Sequence, residues 1–162
     1  FRRGNLVHHL LEILPPVAPH ERLAVAQRIV RQDVHGVLPE DGDNIVGQIL
    51  AILDDPEMAA LFGQDSLAEA PLVGEVGNMV ISGRIDRMVI AEQTVRIIDY
   101  KANRAPPATS RDIPPIYLRQ LAAYRAVLRR IYPDFSISCA LLWTAGPDLM
   151  TVEDALLDRH EP

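Results

Sequence analysis

Between Leu67 and Lys101 three apolar-rich runs follow one another with only short joints between them, and this stretch limits the folds open to the chain. The runs lie near Leu67 to Val76, Met79 to Ile90 and Val95 to Lys101. Gly77-Asn78 is a turn signal between the first two, and Ala91-Glu92-Gln93-Thr94 fits a second tight hairpin. Joints this short predict an antiparallel meander, whose inner face must be covered by other elements.

The flanking sequence supplies helices for that cover. Leu6, Leu10, Ile13 and Leu14 recur at helical spacing until Pro15-Pro16 stops the run. A second helix is expected over Glu21 to Val34, with Leu23, Ala26, Ile29 and Val30 as its stripe, and Gly36 and Pro39 as breakers. Asn44 reads as the N-cap of a third helix through Ile45, Ile49, Leu50 and Leu53, and a short turn is expected at Pro56 to Phe62. After the meander, Ala102 to Ile113 reads as a loop. Pro114-Pro115 then opens a helix to about Ile131, with Tyr117, Leu121, Tyr124, Leu128 and Ile131 on one face. Ser136 to Trp143 reads as a buried strand. The order predicts an α/β sandwich around one mixed sheet, a single domain over 1–162 with a helical part to about 63 and the sheet and its helix over about 64–152.

Composition removes several classes of function. No apolar run approaches the roughly 20 residues that span a bilayer. One cysteine, Cys139, rules out an internal disulfide, a thiolate zinc site and a four-cysteine iron–sulfur cluster, and fits a reducing cytoplasm. The opening residues lack a signal-peptide layout and an initiator Met, so a piece of a longer protein is expected. The net charge of −6 is uneven: residues 81–132 hold ten Arg or Lys against four Asp or Glu, and the remainder six against eighteen. That one stretch could meet phosphate, or could be a solvated basic surface.

The chemistry concentrates in Gly83-Arg84-Ile85-Asp86-Arg87 and Ile97-Ile98-Asp99-Tyr100-Lys101. A hairpin pairing 90 with 95 would bring Asp86 opposite Asp99, with Cβ atoms about 5 Å apart. Two like charges so close need an offset, and a divalent cation with hard oxygen ligands, Mg²⁺ or Mn²⁺, would supply it. A turn of odd length would send one carboxylate to the other face. Lys101 is the only lysine among sixteen basic residues. Its compact ammonium can rotate and give up a proton, which guanidinium cannot. On their own, an Asp and a Lys two apart are equally an exposed ion pair.

Taken with Gly4-Asn5-Leu6-Val7-His8 and Gln120-Leu121-Ala122-Ala123-Tyr124, these motifs resemble, in order, the RecB branch of the PD-(D/E)xK nucleases. More narrowly, they are similar to the C-terminal nuclease domain of the AddA subunit of bacterial AddAB helicase–nucleases. The resemblance implies metal ligation by His8, Asp86, Asp99 and the backbone carbonyl of Tyr100, with Lys101 catalytic beside the two aspartates. It places Gln120 and Tyr124 beside the site, and the basic stretch offers Arg84, Arg87, Arg104, Arg119 and Arg125 as phosphate contacts. Glu69 and Glu75 on the first strand receive no role. Ala102 stands where Thr is frequent, which touches only local hydrogen bonding.

The implied function is Mg²⁺-dependent hydrolysis of DNA, leaving 5′-phosphate and 3′-hydroxyl ends. The substrate would be single strands delivered by helicase domains of the same polypeptide, with an AddB-like partner subunit, in double-strand-break repair at the bacterial nucleoid. Two other readings stay open: a phage-type exonuclease or repair endonuclease, and an inactive scaffold or DNA clamp. Relatives with a four-cysteine cluster are excluded by the solitary Cys139.

Overall fold

The computed structural model describes residues 2–32 and 35–162. Its helices are α1 (Arg2–Ile13), α2 (Arg22–Val30), α3 (Pro39–Asp54), α4 (Pro115–Ile131) and α5 (Asp154–Asp158). Its strands are β1 (Ser66–Val76), β2 (Met79–Ala91), β3 (Thr94–Lys101), β4 (Ser136–Trp143) and β5 (Asp148–Val152). The expected mixed α/β sheet is present, with five strands in the order β1-β2-β3-β4-β5. β1, β2 and β3 pair antiparallel. Ser136 N–H donates to the Gln93 carbonyl and Thr144 N–H to that of Lys101. These are equal steps along both strands, so β4 runs parallel to β3, and α4 makes the crossover that parallel pairing requires.

The chain divides into two compact units. The first comprises Phe1–Gln64, Tyr100–Ala105 and Trp143–Asp148. Its three helices bury Leu6, Val7, Leu10 and Leu11 of α1, Ala26 and Ile29 of α2, and Ile45, Ile49 and Ile52 of α3. The second comprises Asp65–Asp99, Pro106–Leu142 and Leu149–Pro162. There α4 packs on β1 and β2, with Val127 against Gly74 and Tyr124 against Gly83, and buries Leu121 and Leu128 as well. Burying these apolar faces, at about 25 cal/mol per Å² removed from water, is what holds each unit together.

Three details differ from the sequence expectation. α2 ends at Val30, and the Val34 expected as its end lies outside the described residues; Leu23, expected in its stripe, is half exposed. α3 starts at Pro39, not after Asn44. Proline lacks an N–H that the first turn would leave unpaired anyway, so it opens the helix instead of breaking the chain there. Glu40 and Asp41 in that first turn complement the positive end of the helix. Finally, Asp148–Val152 and Asp154–Asp158 add a fifth strand and a short helix where no element was expected.

Candidate active site

The turn between β2 and β3 sets the geometry of the site. Glu92 and Gln93 both take left-handed φ, 52° and 58°, the backbone of a two-residue turn that matches strand twist. The ladder then pairs Ala91 with Thr94, Ile90 with Val95 and, further along, Arg87 with Ile98. Asp86 and Asp99 occupy the next position of that register, and both are buried, at 9% and 7% exposed. The pairing expected from turn length is the one found.

On its other side β2 pairs with β1, Ala68 with Arg87 and Ala70 with Ile85. Glu69 stands between those pairs, in the position facing Asp86. Its φ of 52° is left-handed, inside a strand and without the freedom of glycine. Such backbone costs about 1–3 kcal/mol and persists where the surroundings hold it. A Glu69 carboxylate oxygen lies within 4.8 Å of one from Asp86. Glu69, Asp86 and Asp99 therefore form one row across three adjacent strands of the second unit. The donors are hard oxygens, so the residues fit a divalent cation, whose Mg–O bonds of about 2.0–2.1 Å would draw the two oxygens to within about 4.2 Å of each other.

Glu69 is the residue that sequence reading left without a role. The available signal was its place: it lies as far before the first hairpin as Asp86 lies after it. Glu75, the other acid of β1, is exposed, and its carbonyl accepts a hydrogen bond from Arg130.

The first unit holds the other expected ligands. His8 is half-buried on α1, and its ring meets that of Tyr100 edge-on, with centroids 5.3 Å apart. Tyr100 follows Asp99 directly in β3, and strand alternation turns Lys101 to the same face as Asp99. The Lys101 carbonyl accepts the N–H of Thr144 at 3.0 Å, which fixes the end of the strand. His9 belongs elsewhere, beside Glu12 and the ring of His35.

Over residues 1–144 the sequence matches the family described as the PD-(D/E)XK nuclease superfamily. The chain belongs to that superfamily. Its members are nucleases that use divalent metal ions, and the matched residues include Asp86 and Asp99-Tyr100-Lys101. No curated protein matches. Eleven chains of solved structures do. One, described as "Crystal structure of SSO0001", is 16% identical over 95% of this chain and 71% of that one, with a TM-score of 0.42. Among the described residues no helix is long and apolar enough to cross a membrane.

The remaining residues expected at the site divide by exposure. Tyr124 is buried on α4, where Gln120 Nε2 donates to its hydroxyl at 3.3 Å. Its ring lies on Gly83: a Cβ there would overlap the hydroxyl and come within 2.9 Å of the ring. Gly83 is thus the gap in β2 that receives Tyr124, three residues from Asp86 and on the opposite face of the strand. Arg84 is exposed and 3.9 Å from Glu69; Arg104 and Arg119 are exposed.

Two expected phosphate contacts are corrected. Arg87 is 4% exposed, and its guanidinium donates to the Ser66 hydroxyl at 2.9 Å. Arg125 is fully buried and bound to Asp154, Asp158 and Glu161 at 2.9, 2.6 and 2.6 Å. Burial works against its charge, but the hydrogen bonds it donates to the three acids outweigh this and raise its pKa. It fastens α4 to α5 and the chain's last residues. Cys139, buried on β4, has its thiol pushed up to about 12, chiefly by burial, so it stays protonated and inert.

Proposed function

We propose that this domain hydrolyses phosphodiester bonds of DNA single strands, with the carboxylate row as its metal centre. The observation that carries the reading is Glu69, Asp86 and Asp99 in one row across three strands of a PD-(D/E)XK nuclease. Asp86 and Asp99 would hold the cation, with Glu69 as a third carboxylate, His8 as the nitrogen ligand and the Tyr100 carbonyl completing the set. The edge-on contact of His8 with Tyr100 supports that role, because it seats the imidazole against the residue that follows Asp99. Mg²⁺ or Mn²⁺ suits such donors, and when bound supplies a charge that polarises a phosphoryl oxygen and lowers the pKa of a water.

The protein's own groups do the rest. Lys101, on the face of Asp99, orients the attacking water and opposes the charge that develops on the phosphate. Arg84 and Arg104, both exposed, hold neighbouring phosphates, and Gln120 meets the strand beside Tyr124. The sequence resemblance further points to a parent with helicase domains and an AddB-like partner, acting in double-strand-break repair at the nucleoid.

Single-turnover cleavage of labelled single-stranded DNA, with Mg²⁺ and with EDTA, tests the reading. Cleavage should need the metal, and Lys101→Ala should abolish it while strand binding persists. Lys101→Arg should be nearly as damaging, because guanidinium keeps the charge but not the shape or the exchangeable proton. Cleavage by Lys101→Arg close to the parent rate would reduce Lys101 to a phosphate clamp.

A further inference from the structure

The way a strand could be gripped depends on which cations the fold leaves available. In the basic stretch Arg125 is buried on three acids, Arg129 is bound to Glu161 and Arg130 to the Glu75 carbonyl. Arg96 donates to Thr151, Arg87 to Ser66, and Arg84 faces Glu69. The Arg111 guanidinium makes no hydrogen bond or ion pair among the described residues, and neither does that of Arg159 beyond the stretch. These two arginines line one cavity of about 450 Å³, together with Ser110, Glu153, Ala155 and Leu156.

The surroundings keep both cations available. Asp112 follows Arg111 but accepts a hydrogen bond from Thr109 at 3.0 Å, within the turn Ser110–Asp112. Asp158 precedes Arg159 but is taken by Arg125, as is Asp154. The clasp around Arg125 thus holds α5, one wall of the cavity, while drawing off the acids that would neutralise it. Glu153 on the rim leaves a net single positive charge. That suits the single charge of a phosphodiester better than the double charge of a terminal phosphate. Ser110 adds a hydroxyl donor, and Ala155 and Leu156 give an apolar wall for a sugar or base.

We propose that this cavity is a phosphodiester subsite for a nucleic-acid strand, away from the carboxylate row. The inference rests on the nuclease reading for its substrate class, and its test is kept separate from cleavage. Binding of the full chain to fluorescent oligothymidylate is measured in EDTA across a salt series, for wild type, Arg111→Gln/Arg159→Gln and Arg28→Gln. Arg28 is exposed on α2 and controls for the loss of a charge as such.

The double variant should bind on the order of tenfold more weakly near 0.1 M salt, with a salt slope shallower by about 0.7, the share of one single-strand phosphate. Its single-turnover cleavage at saturating strand should match wild type. An unchanged slope in the double variant, or an equal change in Arg28→Gln, would overturn the subsite. So would a thermal shift with inorganic phosphate that the double variant loses while its strand slope stays normal; the cavity would then take a small anion. A metal-independent wild type would instead sink the nuclease reading and leave the binding result standing.

Discussion

Two places in the second unit gather three carboxylates each, and the chain treats them in opposite ways. Against α4 the acids are Asp154, Asp158 and Glu161, and their cation is built in as a side chain, Arg125, fully buried among them. On the sheet the acids are Glu69, Asp86 and Asp99, the row proposed above to recruit a metal ion. A side-chain cation makes a joint that is always closed. A recruited cation makes a centre whose charge can be supplied, shared with a phosphate and removed. Cation placement therefore separates architecture from chemistry here, although the sequence marks both places only as acids near arginines.

The largest effect should come from the sheet. Asp86→Asn/Asp99→Asn should lower single-turnover cleavage by at least about 10²–10³, the usual loss when a charge-stabilising group is removed. It should also abolish the Mg²⁺-induced rise in Tm that a native-state ligand produces. A metal shift that survives in this variant would put the ion elsewhere and end the contrast.

At the clasp the effect should fall on stability and should depend on which partner is removed. Replacing Asp154, Asp158 and Glu161 together by Ala strands a buried guanidinium, at about 3–5 kcal/mol. Arg125→Met should cost less, about 1–2 kcal/mol, because it keeps most of the side-chain volume and the exposed acids can return to water. Urea unfolding of both variants measures the difference. Equal losses would mean that the clasp acts by packing alone.

The fold was legible because its strongest signals are local. The three strands, both tight turns and the opening of α4 at its prolines all follow from residues within a few positions of one another. The opposition of Asp86 and Asp99 was legible for the same reason, since a two-residue turn fixes it. Glu69 was not: the first hairpin alone places it opposite Asp86, but its aim depends on a left-handed backbone that nothing in a run of polar and apolar residues announces. Arg125 was misread because its partners lie some thirty positions away. Periodicity alone cannot tell a buried arginine from a solvated one. β5 and α5 were missed as short elements whose burial comes from the rest of their unit.

Gly83→Ala tests how α4 meets the sheet. The new methyl would displace Tyr124, and overpacking of this kind costs about 1–3 kcal/mol. Fluorescence-monitored unfolding would show it, and Tyr124→Phe in the same background should recover part of the loss by removing the overlapping hydroxyl.

The smallest expected effect is also the most diagnostic. Glu69→Gly should stabilise the metal-free protein by roughly 0.5–1 kcal/mol, since glycine accepts a left-handed φ without strain but gives back some chain entropy. The same change should weaken the Mg²⁺-dependent rise in Tm. Stabilisation with the metal response intact would make Glu69 a strained bystander.

The two consecutive hairpins that build the carboxylate row have a kinetic consequence. Contacts between neighbouring strands close short loops, whereas parallel pairing of β3 with β4 must wait for the crossover through α4. Like charges are therefore driven together among the earliest non-helical contacts the chain can make. The repulsion falls on the climb to the transition state and not on the descent from it. An ion able to relieve it would then speed folding as well as stabilise the folded state. Mg²⁺ would raise the refolding arm of the chevron more than it lowers the unfolding arm, the signature of a contact already formed at the barrier.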